Sequence, residues 1–328
     1  MKNQVRKLSI IIPTYNRKQY LLGALDALLP QVQLYRNEVS VLVCDNASTD
    51  GTQDALKPYI ENYSDIIKYY RHEKNYGFLY NFKFGIDHAE SEYVFLHGDD
   101  DLVTPYFLGY ILSLLNMNEE VDLIHFNYFI SSIDSKCFRM AYQIPNNQIL
   151  INTYSDGFSF ITEHYEKPSF ISSVVFRKQV WEKGLLDGNS EGCYGYEWFY
   201  IMYKGCINSK CLFVRLPLSI QIMSNVEGYS AKWTLYSIEG MTRVFERLDT
   251  INSGVLEGWK KHRIKSKAKL FRNIASVYED KRFYRKNYKE ISQYVDGGYK
   301  VLLFLCVFIL PVFIIKPILR IAKKMFLA

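Results

Sequence analysis

The first hundred residues alternate between short, wholly apolar runs and segments with helical spacing. The apolar runs are typical of strands buried on both faces and lie at residues 8–12, 39–44, 66–70 and 93–96. Helical spacing predicts helices at residues 17–29, 52–63 and 75–89, the first ending at Pro30 and the second capped by Thr52. This alternation predicts an α/β fold with a mostly parallel, right-handed central sheet flanked by helices.

The remainder of the chain continues the alternation with less regularity. Further strands are predicted at residues 121–130, 171–176 and 211–215. Further helices are predicted at residues 106–116, 178–183 and 195–204. Residues 131–152 follow no regular pattern, and a polar helical region extends from residue 233 to about residue 295.

Polar turns follow three of the predicted strands. The three turns contain Pro13, Thr14, Tyr15 and Asn16 after the first strand, Asp45 and Asn46 after the second, and Asp99, Asp100 and Asp101 after the fourth. Because the carboxyl ends of parallel strands meet at one edge of a sheet, these turns are predicted to share a crevice. Tyr15 and its neighbours suit contact with a flat heterocycle, and Asp45 offers a carboxylate to a hydroxyl or N–H donor.

The three adjacent carboxylates at residues 99–101 repel one another. Such oxygen donors suit Mg²⁺ or Mn²⁺ shared with a phosphate, and the alternative interpretation is a solvated acidic turn. Neither a Gly-x-x-x-x-Gly-Lys-Ser/Thr loop nor a Gly-x-Gly-x-x-Gly turn follows the first strand. ATP hydrolysis and ordinary dinucleotide binding therefore lack their usual motifs.

Charge and composition point to an anionic partner. The formal net charge is +6, and lysines and arginines crowd residues 260–289, opposed there only by Glu279 and Asp280. Such a block favours a membrane surface, a nucleic acid or a polyanion. The aromatic content of 16% fits a surface that handles sugars or lies beside a membrane. The six cysteines show no metal-ligand spacing, which favours a reducing compartment.

An apolar run lies at residues 301–315, between Lys300 and Lys316, and thirteen further residues follow it. It is shorter than the roughly 20 residues that a membrane span needs, and Pro311 interrupts it. The alternatives are a buried helix, a single span, and an interfacial or re-entrant helix held by its basic flank. We favour the interfacial helix.

Four sequence motifs occur in a characteristic order. They are SIIIPTYNR at residues 9–17, CDNASTDGT at residues 44–52, NYG at residues 75–77 and GDDD at residues 98–101. Together they resemble the family 2 glycosyltransferases of GT-A fold, clearly over residues 7–105 and weakly to about residue 220. The resemblance implies a nucleotide-sugar donor, a divalent metal (Mn²⁺ or Mg²⁺) and inversion at the anomeric carbon.

The resemblance also assigns site residues. The implied nucleotide-sugar contacts are Pro13, Thr14, Tyr15, Asn16, Asp45, Asn46, Asn75, Gly77 and Asp99, and the implied metal ligands are Asp99, Asp100 and Asp101. The family commonly reads Asp-x-Asp-Asp, whereas this chain has Gly98 first. Either residues 99–101 form the motif or Gly98 replaces its first Asp. We favour Asp100 as the main ligand, with Asp99 near the ribose or the metal.

The family's general base is an Asp or Glu at the start of a late helix, often beside Trp, and Glu197-Trp198 matches that position. A carboxylate half-buried among aromatic side chains holds a proton more tightly, which suits a base acting on a hydroxyl. The alternative for Glu197 is a glutamate that stabilises a helix N-terminus. His97 and His125 are interpreted as residues of the core or of the site wall, and not as ligands.

These observations predict three regions. Residues 1–220 form a GT-A catalytic domain, with a nucleotide-sugar-binding half at 1–105 and an acceptor-binding half at 106–220. Residues 221–298 form a basic helical region, and residues 299–328 an apolar and basic membrane-associating helix.

The expected protein is an inverting glycosyltransferase at the cytoplasmic face of the cell membrane, peripheral or monotopic. Its expected acceptor is a lipid-linked glycan in surface polysaccharide or O-antigen synthesis, and no nucleic acid is expected as a partner. The alternatives are a nucleotidyltransferase or sugar-nucleotide-binding protein of the same fold, or a basic nucleic-acid-binding protein.

Overall fold

The chain divides into two compact units. The computed structural model describes residues 5–132, 138–144, 149–165, 167–186, 192–223, 231–264, 281–292, 297–311, 313–314 and 317. The first unit comprises residues 1–189 and 201–224, and the second comprises residues 190–200 and 225–328. The predicted division at residues 105, 220 and 298 stays a prediction.

Within the described residues, the strands of the first unit form one ten-stranded sheet in the order β3-β2-β1-β4-β9-β6-β10-β5, with β7 on β6 and β8 on β10. The strands are β1 Leu8–Thr14, β2 Val39–Asp45, β3 Ile67–Arg71, β4 Tyr93–Leu96, β5 Leu102–Val103, β6 Leu123–Ser132, β7 Phe138–Met140, β8 Ile151–Tyr154, β9 Val174–Arg177 and β10 Cys211–Met223.

The sheet is parallel in its first half and mixed in its second. Strands β1 to β4 are parallel neighbours, as predicted, and β1 and β2 are buried at every residue. Strand β9 runs antiparallel to both β4 and β6, whereas β6 and β10 are parallel neighbours. Beyond β4 the sheet is therefore mixed and not mostly parallel as predicted. A short apolar run has the same pattern in either direction, so the sequence does not reveal this reversal.

Helices cover the sheet and build the second unit. They are α1 Lys18–Leu34, α2 Thr52–Asn62, α3 Phe78–His88, α4 Phe107–Met117, α5 Gly157–His164, α6 Lys178–Leu185, α7 Glu197–Cys206, α8 Ala231–Ile251, α9 Val255–Ile264, α10 Lys281–Lys286, α11 Tyr288–Ile291 and α12 Gly297–Phe304. Apolar side chains of α1 and α4 form the main core with β1, β2 and β4.

The structure corrects two details of the predicted helices, the end of the first and the cap of the second. Helix α1 continues through Pro30 because the buried Gln31 secures its last turns. The amide of Gln31 donates to the Thr104 carbonyl at 2.9 Å and accepts from the Leu108 amide at 3.1 Å. Helix α2 follows Gly51, so Thr52 is its first residue and not its cap.

Two glycines allow α6 and α7 to pack with their backbones in contact. A Cβ atom at Gly184 would lie 1.9 Å from the Ile201 carbonyl oxygen. A Cβ atom at Gly205 would lie 1.8 Å from the Val180 carbonyl oxygen. Because backbone atoms cannot rotate away, any larger residue at either position must separate the two helices.

The second unit has its own apolar core. The rings of Phe245 on α8 and Trp259 on α9 stack with centroids 5.0 Å apart. Val244, Leu248 and Val255 are buried around them. This contact shows that the helical region after β10 packs by its apolar face, as a helix pair needs for stability.

The end of the described chain combines basic and apolar groups. After α12, one π-helical turn covers Leu305–Ile309. Lys281 and Arg285 of α10 donate to the Leu310 and Val307 carbonyls at 2.5 and 3.0 Å. Among the described residues, no helix is both long and apolar enough to cross a membrane. Residues 265–280 of the predicted basic block lie outside the described residues, as do residues 312, 315–316 and 318–328 of the predicted tail helix.

We expect Gly205→Ala to lower the free energy of unfolding by about 2–3 kcal/mol, because the added methyl group meets the Val180 carbonyl. The measurement is denaturant unfolding of the full chain. Gly23→Ala is the matched control: this exposed helical glycine has no atom within 4 Å of a new Cβ. The control should gain about 0.5–1 kcal/mol. Equal stability changes in the two variants would contradict the close packing of α6 and α7.

Candidate active site

Asn46 joins three loops at the carboxyl edge of the parallel strands. Its backbone N–H donates to the Thr14 carbonyl at 2.9 Å. Its side-chain amide donates to Asn75 Oδ1 at 2.7 Å and to the Gly77 carbonyl at 3.1 Å. Its Oδ1 accepts from the Tyr76 amide at 2.9 Å. The acidic turn joins them through the hydrogen bond from Thr14 Oγ1 to Asp99 Oδ2. The predicted convergence of the turns after β1, β2 and β4 is therefore confirmed.

The turn at residues 13–16 leaves the ring of Tyr15 exposed to solvent. Asn16 adopts a left-handed backbone conformation with φ of 53°. Its Oδ1 accepts from the Thr49 amide at 2.7 Å, and its own amide donates to Ser48 Oγ at 2.9 Å. Pro13 is buried, whereas Tyr15 is 43% exposed. The Tyr15 ring is thus available for stacking with a planar ligand.

Asp45 is fully buried and uses both carboxylate oxygens inside the protein. Oδ1 accepts from the Ser48 amide at 2.8 Å, and Oδ2 accepts from the Tyr69 hydroxyl at 2.6 Å. Arg71 Nε lies 3.8 Å from Oδ2. The sequence suggested that this carboxylate faces a ligand. In the structure it stabilises the turn that carries Asn46.

Asp99 and Asp100 share one cationic partner, the guanidinium of Arg17. Arg17 Nη1 donates to Asp99 Oδ1 at 3.0 Å, and Arg17 Nη2 donates to Asp100 Oδ2. Thr14 Oγ1 donates to the other Asp99 oxygen at 2.7 Å. The Asp99 side chain is 5% exposed and that of Asp100 is 21% exposed, so Asp100 is the more accessible of the two.

Asp101 faces away from Arg17 and binds its own set of donors. Ser172 Oγ donates to Asp101 Oδ2 at 2.6 Å, and the Ile222 amide donates to Oδ1 at 3.3 Å. Ser172 Oγ also accepts from the Gly98 amide at 2.8 Å. A Cβ atom at Gly98 would lie 2.5 Å from Asp101 Oδ2. The glycine that departs from the family motif is therefore needed for this position of Asp101.

Burial raises the proton affinity of two of the three carboxylates. Burial raises the pKa of Asp99 to about 6, and the charge of Arg17 opposes that rise only in part. Burial, reinforced by the charge of Asp100, also raises the pKa of Asp101. Burial thus disfavours the ionised carboxylates, and a cation bound beside them would stabilise that ionised form.

The donor set fits a hard divalent cation through two carboxylates. Asp99 and Asp100 both direct an oxygen at one positive group, with the guanidinium of Arg17 standing in for an ion. In the described part of the chain, no three Asp, Glu, His or Cys side chains converge as a closed metal centre requires. Mg²⁺ and Mn²⁺ need no more than one or two carboxylates when phosphates complete their coordination. Asp101 as a third ligand stays a prediction.

Glu197 begins α7 and belongs to the second unit. Its Oε2 accepts from the Gly195 amide at 2.8 Å, and the side chain is partly exposed. Its role as general base stays a prediction. His97 and His125 are completely buried, which confirms that they are core residues. Burial lowers the pKa of His97 to about 4, so this ring is neutral.

Three residues at this edge had no predicted role. Arg17 closes the first motif, so its position beside the turn could have suggested a partner for the acidic cluster. Tyr69 and Ser172 carry no local signal, because their contacts with Asp45 and Asp101 join parts of the chain that lie far apart in sequence.

The sequence matches a known family over about half its length. The sequence model of Glycosyl transferase family 2 matches residues 9–171. Abequosyltransferase RfbV of Salmonella typhimurium (strain LT2) is 25% identical over 226 residues, which are 65% of this chain and 66% of that protein. The chain thus spans just under two thirds of the length of this relative.

Solved structures show the same fold. S. aureus TarS 1–349 in complex with UDP-GlcNAc superposes with a TM-score of 0.56 at 16% identity, over 92% of this chain and 87% of that chain. Mannosyltransferase PcManGT from Pyrobaculum calidifontis, in complex with GDP-Man and Mn²⁺, gives a TM-score of 0.54 at 15% identity, over 98% of this chain and 89% of that chain. The likeness is one of fold, that of the GT-A glycosyltransferases.

We expect Ser172→Ala to lower the free energy of unfolding by about 2–3 kcal/mol, since it leaves the buried Asp101 carboxylate and the Gly98 amide without their shared partner. Ser173→Ala is the matched control, because this buried serine makes one bond to the Phe170 carbonyl at 2.6 Å. It should cost about 1 kcal/mol. Denaturant unfolding measures both variants, and equal losses would argue against the bridging role of Ser172.

Proposed function

We propose that the family 2 glycosyltransferase domain formed by residues 9–171 makes this chain a sugar transferase. It moves a sugar from a nucleotide-sugar donor to a hydroxyl of a glycan acceptor, with inversion at the anomeric carbon. The observation that carries this proposal is the pair of carboxylates, Asp99 and Asp100, that face one cation at the loop edge joined by Asn46.

Each part of the loop edge suits one part of a nucleotide sugar. The exposed ring of Tyr15 suits stacking against a base. The loop at Asn75 and Gly77 is held in place through Asn46, so it is preorganised for contact with the nucleoside. Two similar folds were solved with UDP-GlcNAc and with GDP-Man and Mn²⁺, which supports a donor of this class.

Asp99 and Asp100 would hold a divalent cation, Mn²⁺ or Mg²⁺. When bound, that cation supplies positive charge for the departing nucleoside diphosphate. Thr14 fixes the orientation of Asp99 through the 2.7 Å hydrogen bond, so the two carboxylates are oriented before the donor arrives.

Glu197 is the proposed general base. Its carboxylate takes the proton of the acceptor hydroxyl while that oxygen forms a bond to the anomeric carbon and the bond from that carbon to the diphosphate breaks. The hydrogen bond from the Gly195 amide orients Glu197 at the start of α7.

Replacing Glu197 by Gln should lower transfer by about a hundredfold or more, because the amide cannot accept the proton. Donor binding should persist. UDP-, GDP-, CDP- and dTDP-sugars are screened with Mn²⁺, by thermal stabilisation for binding and by sugar incorporation into a lipid-linked glycan fraction for transfer.

The exposed Glu257 provides the control, Glu257→Gln, which should leave both readouts unchanged. Near wild-type transfer by Glu197→Gln would exclude it as the base. A wild-type protein that no sugar nucleotide stabilises would overturn the proposed function.

The proposed acceptor is lipid-linked, in surface polysaccharide or O-antigen synthesis, and the proposed location is the cytoplasmic face of the membrane. Apolar side chains near the end of the chain support this: Val301, Ile309 and Phe313 are 60%, 58% and 74% exposed. The basic helix α10 lies against the same turn. Exposed apolar groups beside cations suit an anionic lipid surface.

Replacing Val301, Ile309 and Phe313 together by Ser should weaken binding to phosphatidylglycerol vesicles at least about tenfold, since less apolar surface can enter the interface. Vesicle co-sedimentation of the full chain measures it. Leu34 and Met117 in the first unit are 79% and 81% exposed, so their double replacement by Ser is a matched control. Unchanged binding by the triple variant would count against this membrane surface.

A further inference from the structure

The guanidinium of Arg17 binds one oxygen of each carboxylate in the proposed metal pair. It reaches one oxygen of Asp99 at 3.0 Å and one oxygen of Asp100 with its other terminal nitrogen. Asp99 has its second oxygen bonded to Thr14 at 2.7 Å. A divalent cation bound directly to this pair needs carboxylate oxygens at about 2.0–2.1 Å, which leaves no room for the guanidinium in the same place.

Electrostatics, like the lack of room, predicts competition between Arg17 and a metal ion. Two adjacent carboxylates, one of them buried, are stabilised by a positive group between them. Once Arg17 supplies that charge, a metal ion gains less from binding, because it must first displace a charge-assisted hydrogen-bonded partner. Arg17 therefore competes with the cation that the proposed function requires.

The Arg17 side chain has an alternative position away from the two carboxylates. It precedes α1, its side chain is 37% exposed, and its guanidinium already lies 5.1 Å from the centroid of the Tyr20 ring. Asp99 does not depend on Arg17 alone, because Thr14 holds it as well. The guanidinium can therefore leave while Asp99 stays oriented.

We infer that Arg17 is a displaceable counter-ion that keeps free metal out of the Asp99–Asp100 pair and moves to the diphosphate when the nucleotide arrives with the cation. The inference rests on the proposed function and adds a positioning residue to it. A guanidinium binds phosphate oxygens in the same forked manner as carboxylate oxygens. Metal and nucleotide should then bind cooperatively, each raising the affinity of the protein for the other.

The test measures Mn²⁺ binding, by calorimetry and by the electron paramagnetic resonance of free Mn²⁺, first alone and then with UDP or GDP. Arg17→Gln should bind Mn²⁺ alone about tenfold more tightly than the wild type, since a hydrogen bond to a charged partner contributes energy of this order. The nucleotide should then raise Mn²⁺ affinity much less than it does in the wild type.

Arg17→Lys should give an intermediate Mn²⁺ affinity, because a single ammonium group cannot fork between two carboxylates. This variant also serves if Arg17→Gln fails to fold. Arg36→Gln is the charge-matched control, since Arg36 pairs with Asp65 on the surface, and it should match the wild type.

Mn²⁺ affinity that is unchanged or weaker in both Arg17 variants would overturn the inference. So would full cooperativity between Mn²⁺ and nucleotide in Arg17→Gln. If no nucleotide binds the wild type, the proposed function fails, and the affinities for Mn²⁺ alone still decide whether Arg17 competes with the metal.

Discussion

The parallel register of β1 with its two neighbours is the constraint on which the site depends. Thr14 lies opposite Asp45 across one strand pair, and Ile11 lies opposite Leu96 across the other. Backbone pairing alone therefore places the loops that follow β1, β2 and β4 at the same edge of the sheet. Because β1 and β2 are buried on both faces, a register slip of one residue would exchange their side chains between two packed faces. The packing of these strands therefore protects the geometry of the polar edge.

The site accumulates charge that the fold would otherwise avoid. Three carboxylates follow one another along the chain, and two of them are almost fully buried. Their partners differ: Asp101 is bound to backbone and hydroxyl donors, while Asp99 and Asp100 face the guanidinium of Arg17. Adjacent buried carboxylates are locally unfavourable, and such unfavourable choices are usually concentrated at functional positions.

The sequence alone predicted the parallel half of the sheet and the loops at its edge, because buried strands and polar turns leave strong local patterns. It did not predict the direction of β9, since a short apolar run has the same pattern whichever way the strand runs. It also missed the continuation of α1 past Pro30, which depends on Gln31 reaching Thr104 and Leu108. The bond between Ser172 and Asp101 joins residues 71 positions apart, and no local pattern encodes such a contact.

The crowding between Gly98 and Asp101 limits the mutational routes by which this site can change. An aspartate at position 98 would place its Cβ atom 2.5 Å from Asp101 Oδ2. Asp, the usual first residue of the family motif, is therefore incompatible with the observed position of the Asp101 side chain. An Asp at position 98 therefore requires the Asp101 carboxylate to shift away from the Ser172 hydroxyl and the Ile222 amide that bind it. The two residues are therefore epistatic, and a homologue with Asp at the first position should hold its last carboxylate differently.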